Sequence, residues 1–149
     1  MVYGELAETL GVSTPTAFRS VQRLERARLV LPGQRRTATV PLLRLIEHGV
    51  PFVFYPVLGP ETLGVPTAHS APPLAEEISA EDALVWPTLE GTVRGQSLEP
   101  LYDGAAALPS INPELYHALT LVDAVRVGRA RERTRAMELL SGWISERRP

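Results

Sequence analysis

Cysteine and lysine are both missing from the 149 residues. The first absence excludes disulfides and thiolate metal sites. The second excludes a Walker-type nucleotide loop, whose glycine-rich turn ends in a lysine. All fifteen basic residues are therefore arginine, which puts a fork-shaped donor at every cationic position, although a GC-rich genome would produce the same bias. No apolar run is long enough for a membrane span or a signal peptide, so a soluble cytoplasmic protein with no membrane partner is expected. The three histidines, His48, His69 and His117, form no short-spaced ligand pair, so no metal and no cofactor is expected and all three read as structural. His48 is expected at a helix C-terminus, where a cation is favoured. Ser70, His69 and Asp103 lack a nucleophile elbow. Glu76-Glu77 and Glu81-Asp82 look like helix-start and solvation residues rather than an acid/base pair. The chain is not expected to be an enzyme.

What is present is a strong segregation of charge beneath a net charge of −2. Residues 1–47 hold seven arginines and four acids, 7 − 4 = +3. Residues 48–123 hold one arginine and ten acids, 1 − 10 = −9, and residues 124–149 hold seven arginines and three acids, 7 − 3 = +4. A basic N-terminal segment suits phosphate, whereas the acidic middle would repel DNA and must face away from it or face a partner.

The N-terminal segment has the residue grammar of two short helices joined by a tight turn. Leu6, Ala7 and Leu10 recur at helical spacing, and Gly11 suits the left-handed residue that follows a last helical turn. Ser13 follows as an N-cap with Pro15 in the first turn, which starts a second helix at about Thr14. In that helix Ala17, Val21 and Leu24 are expected inward, leaving Phe18, Arg19, Gln22 and Arg23 to face away. An outward face of Thr, Arg and Gln can read bases.

Through Glu-Leu-Ala-x-x-Leu-Gly-Val-Ser and the following Arg-Ser-Val-x-x-Leu-Glu-x-x-x-Leu-Val, residues 3–30 resemble the winged helix-turn-helix transcription factors of bacteria, of the broad MarR-like kind. The resemblance covers about a fifth of the chain and implies DNA-binding and transcription regulation. Thr14, Thr16, Arg19 and Gln22 would then lie at base edges, with Ser13, Arg23, Arg35 and Arg36 on phosphate. Phe18 would touch a thymine methyl or be buried under a first helix. Such a helix normally precedes the motif, yet here only a few residues do, so either the start is truncated or misassigned or a later helix takes its place. Arg35 and Arg36 match the charge of a wing hairpin, which would be short, with strands of about three residues.

Beyond the motif, Leu42, Leu43, Leu45 and Ile46 predict a core helix over residues 38–48, stopped by Gly49. Residues 50–57, aromatic and branched between prolines, read as a strand. Residues 58–77 carry turn formers every few positions and read as an ordered irregular crossing. A short helix is expected over residues 79–84, ended by Trp86-Pro87, then a bent strand over residues 92–102 beside the 50–55 strand. Asn112, Pro113 and Glu114 form a helix start whose buried stripe is Leu115, Leu119, Val122 and Val125. After Gly128 a last helix over residues 129–145 carries Arg129, Arg131, Arg133 and Arg135.

The expected fold class is α+β, with a winged helix-turn-helix DNA-binding domain at residues 1–49 and a small mixed dimerisation or partner domain at residues 50–149. The leading expectation is a sequence-specific regulator that binds double-stranded DNA as a homodimer, joined through its C-terminal helices, because one reading helix covers few base pairs. The alternative is an antitoxin-like protein that autoregulates its operon and grips a neighbouring gene product through the acidic middle or the Arg129 to Arg135 helix. A ligand-sensing version would draw on Phe52, Phe54, Tyr55, Trp86 and His69.

Overall fold

Helix α1 (Tyr3–Leu10) ends at Gly11, whose φ of +66° is the left-handed backbone that glycine adopts without a Cβ clash. The Val12 and Gly11 N–H groups turn back to the Ala7 and Glu8 carbonyls at 2.9 and 3.2 Å, so the last turn is satisfied. Helix α2 (Thr14–Arg26) opens on Ser13, whose Oγ accepts from the Thr16 N–H at 3.3 Å. The two helices bury Ala7 and Ala17, both small enough for a close approach. In the computed structural model residues 3–34 and 36–147 are described.

The far end of α2 closes with an unusual residue. Arg28 takes φ 59°, its N–H bonds the Glu25 carbonyl at 3.0 Å, and the Leu29 N–H returns to Leu24 at 2.9 Å. This paired arrangement normally carries glycine at the left-handed position. A hairpin of two-residue strands follows, β1 (Val30–Leu31) antiparallel to β2 (Arg36–Thr37), and the Ala38 N–H extends it to the Leu29 carbonyl. Helix α3 (Thr39–His48) then carries Leu42, Leu43 and Ile46 into the main core and stops at Gly49.

The middle of the chain departs from its sequence reading. Residues 50–57 are not a strand: Val50–Val53 form a helical turn, α4, with Pro51 at its start, and Phe52 to Tyr55 stand exposed. Residues 58–77 are not wholly irregular, because Leu58–Pro66 form the longest strand, β3. The register slips between Leu58 and Glu61, where Pro60 has no N–H to give the ladder. Residues 79–84 do not form a helix. They bend, and Leu84–Pro87 form strand β4, so Trp86 and Pro87 lie in a strand rather than ending a helix. Strand β5 (Val93–Leu98) pairs antiparallel with β3 and parallel with β4, closing the three strands on themselves; it does not lie beside residues 50–55. Closure brings Gly91 so near the Gly64 backbone that a Cβ there would sit 2.3 Å from its Cα.

After a short turn, α5 (Leu108–Ile111) leads to Asn112, whose Oδ1 accepts from the Leu115 N–H at 3.0 Å and starts α6 (Pro113–Val127). Residues 120–126 of α6 are all buried, and α7 (Ala130–Glu146) packs along it. One cluster joins Ile46 and Val50 to Leu74, Leu84, Leu121, Val125, Ala136 and Leu140. The core thus spans both sides of residue 49. A second cluster gathers Trp86, Leu108 and Tyr116 beneath the strands. The fold is mixed α+β. Among the described residues no helix is long and apolar enough to cross a membrane.

Candidate nucleic-acid interface

Helix α2 positions most of the residues singled out in the sequence. Ser13, Thr14, Thr16, Arg19 and Arg23 are exposed and Gln22 is half-buried. Thr16, Arg19 and Arg23 follow one another at helical spacings of three and four, a row of about 10 Å along the axis. Arg19, Arg23 and Arg36 make no ion pair among the described residues. The first turn of α2 holds no acid, so no carboxylate within that turn offsets its positive end. Such a face presents hydroxyl, amide and guanidinium donors to an anion or a base edge.

Three residues differ in detail from their expected roles. Ser13 Oγ is engaged as a cap and also lies 2.8 Å from Thr16 Oγ1, so these two hydroxyls organise each other. Phe18 meets Tyr3 edge-on, with centroids 5.1 Å apart, and stays 41 % exposed. Leu24, expected inward, is 39 % exposed, because α2 rests on α1 and the hairpin rather than on α6 or α7. Arg36 is exposed on β2. Arg35 lies outside the described residues.

The other sequence candidates do not converge. His48 ends α3 and pairs with Glu47 at 3.3 Å. His69 Nε2 ties to the Asp82 carbonyl at 2.8 Å, and Ser70 Oγ accepts from the Leu84 N–H at 2.9 Å, so both brace the bend before β4. His117 lies beside Tyr116. Glu77 clamps Arg135 at 2.6 Å, and that guanidinium, first as hydrogen-bond donor, holds the Glu77 carboxyl below its ordinary range. Among the described residues no three acidic or histidine side chains gather as around a metal ion. Phe52, Phe54 and Tyr55 point outward while Trp86 is buried, so the suggested ligand pocket does not form from them. An open groove of about 950 Å³ instead lies beside the packing of α3 on α6 and α7, bordered by the hairpin, with Leu42, Leu119 and Trp143 in its walls.

Sequence reasoning missed a buried polar centre. Asp123, fully buried, accepts from Thr67 Oγ1 at 2.6 Å, Trp86 Nε1 at 2.7 Å and Arg126 Nη1 at 2.7 Å. Burial pushes its carboxyl up, against the hydrogen bonds from Thr67, Arg126 and Trp86. Because every partner donates, the carboxylate is the form that satisfies them. Arg126 reaches onward to the Phe54 carbonyl through Nε at 2.8 Å and to those of Glu99 and Tyr55 at 3.3 and 3.5 Å. The available signal was an Asp and an Arg three apart inside the apolar run of α6. Arg28 was the other omission, and nothing in its sequence context announces a left-handed backbone.

Comparison with known protein families, with curated proteins and with solved structures finds no match.

Proposed function

We propose that the chain is a sequence-specific DNA-binding regulator, in which α1 and α2 form a helix-turn-helix, β1 and β2 a short wing, and two copies read two half-sites. The observation that carries this reading is the face of α2: Thr14, Thr16, Arg19 and Arg23 exposed together, with both arginines free of ion pairs among the described residues. A row of about 10 Å matches roughly three stacked base pairs in a major groove. The exposed Arg36 on the hairpin suits a flanking phosphate. The +3 charge of residues 1–47 favours the same approach, while residues 48–123, at −9, are repelled by the duplex.

Binding to the DNA upstream of the protein's own gene, followed by fluorescence anisotropy, tests the reading. Arg19→Ala should cost about 1–3 kcal/mol and relax preference at one base position. Arg23→Ala should weaken binding to all sequences alike. With Arg23 and Arg36 of two copies on phosphate, log K should fall with log salt at a slope of roughly −3 to −4. A flat salt dependence would overturn the proposal.

A further inference from the structure

Between Gly49 and Pro60 the chain carries no charged residue, although charged residues make up 21% of the whole. Six large apolar side chains of this strip face solvent: Phe52 is 77 % exposed, Val53 68 %, Tyr55 66 %, Phe54 and Leu58 50 % each, and Val57 44 %. With roughly 150–250 Å² per aromatic ring and smaller shares from the aliphatic side chains, the strip offers roughly 600 Å² of apolar surface. That is at the upper end of what a monomer ordinarily leaves open, and most of the roughly 800 Å² per partner in a stable interface.

The strip is also fixed in place. The Phe54 N–H bonds Val50 at 2.8 Å, the Glu99 N–H bonds the Val57 carbonyl at 3.0 Å, and Arg126 grips the Phe54 carbonyl from the buried Asp123 centre. Exposed aromatics on a backbone held from within lose little freedom when covered, which lowers the cost of association. At the edge, exposed Glu61 and Arg94 bring both signs of charge within 3.8 Å of each other, and exposed Glu99 adds a carboxylate beside Val57.

We propose that this strip is the homodimer interface, occupied by the same strip of a second copy. A two-fold interface sets a patch against itself, which a charge-free centre tolerates and a patch of one sign does not. A rim carrying Glu61 beside Arg94 permits exchanged pairing between copies. A partner selected by the acidic middle or by the arginines of α7 would instead use charged surfaces, where Arg135 is already paired with Glu77 and Glu138. The proposal rests on the two-copy regulator only for the expectation of a dimer. It relocates that dimer from the C-terminal helices, where α6 is already buried under α7 and the turn at residues 68–70.

The absence of cysteine supplies a direct test. Single Phe52→Cys, Val53→Cys and Tyr55→Cys variants of the full chain, mildly oxidised, should give at least one intermolecular disulfide in high yield, since residues near a two-fold axis meet their own counterparts. Leu89→Cys, fully exposed elsewhere, should give none above background. In sedimentation velocity without DNA the native chain should be a dimer, and Phe52→Ser with Tyr55→Ser should raise its dissociation constant about 30-fold or more. Far-UV circular dichroism verifies that this variant remains folded; if it does not, the cysteine set decides alone. A monomeric native chain, a dimer indifferent to the paired substitution, or cross-linking no better than at Leu89 each overturns the proposal. Loss of DNA binding with the dimer intact overturns the regulator reading and leaves the interface standing.

Discussion

Replacing Asp123 by Asn tests whether the buried polar centre holds the fold together. The side chain keeps its shape, and one end can still accept from Thr67 and Trp86, which share Oδ2 at 2.6 and 2.7 Å. The other end then offers an N–H to Arg126 Nη1, where the native carboxylate accepts at 2.7 Å. Two donors face each other, and a guanidinium only 4 % exposed loses its counter-charge. Removing one partner of such a pair costs about 3–5 kcal/mol, most of it from the charge left behind. Against a total stability of about 5–15 kcal/mol, the midpoint of thermal unfolding should fall by roughly 6–20 °C. The assay is denaturant unfolding of the native chain, Asp123→Asn, Arg126→Met and the double variant. The double variant should be more stable than the sum of the single losses implies, by about 2 kcal/mol or more, because it leaves no unpaired charge. A cost below about 1 kcal/mol for Asp123→Asn, or strictly additive losses, would refute the reasoning.

Three further outcomes follow from local geometry. Arg28→Gly should leave the fold unchanged or stabilise it by up to about 1 kcal/mol, since the left-handed penalty disappears while the unfolded chain gains freedom; Arg28→Val should destabilise it, and thermal melts rank the three. Gly91→Ala should cost about 3 kcal/mol or more by denaturant unfolding, because the added Cβ would lie 2.3 Å from the Gly64 Cα, with no flexible side chain to yield. Burial pushes the Tyr116 hydroxyl, which donates to the Pro66 carbonyl at 2.7 Å, up to about 12. Its folded pKa lies above the unfolded value near 10, so its stabilisation is complete below pH 10 and lost as pH rises towards 12. Unfolding curves should show that loss, and Tyr116→Phe should remove much of the pH dependence; equal slopes in both proteins would contradict it.

The helical ends of the chain were legible because their signals are local. Gly11, Ser13 and Pro15 mark the α1–α2 turn to within a residue, and Asn112 with Pro113 does the same for α6. The middle was not, because its signals depend on partners distant in sequence. Residues 50–57 have strand composition, yet Pro51 opens a helical turn; Val50 enters the core while Phe52 to Tyr55 stay exposed. Strand β3 hides behind Gly59, Pro60, Gly64 and Pro66: one proline sits at the register slip, and Gly64 admits the backbone of Gly91. Neither fact is visible without the neighbouring strands. On α2 the exposure of Thr16, Arg19 and Arg23 was readable from their spacing, whereas Gln22 is half-buried and Leu24 exposed, because α2 rests mainly on α1 and the hairpin.

Helix α3 connects the two surfaces on which the functional reading depends. Towards its N-terminus it follows directly from the hairpin that packs against α2, and at its C-terminus Ile46 and Val50 lie in the core with Leu121, Val125 and Leu140. The residues immediately after Val50 form the apolar strip. A ten-residue helix is about 15 Å long, so α3 spans the distance from the hairpin to the start of the strip without an irregular linker. Two copies joined through the strip would hold their α2 helices at a spacing set by α3 and its packing on α6 and α7. The buried Asp123–Arg126 pair anchors the strip's backbone from beneath. Its loss should therefore disturb the geometry of the pair of heads as well as the stability of each chain, although neither residue reaches the face proposed to touch DNA.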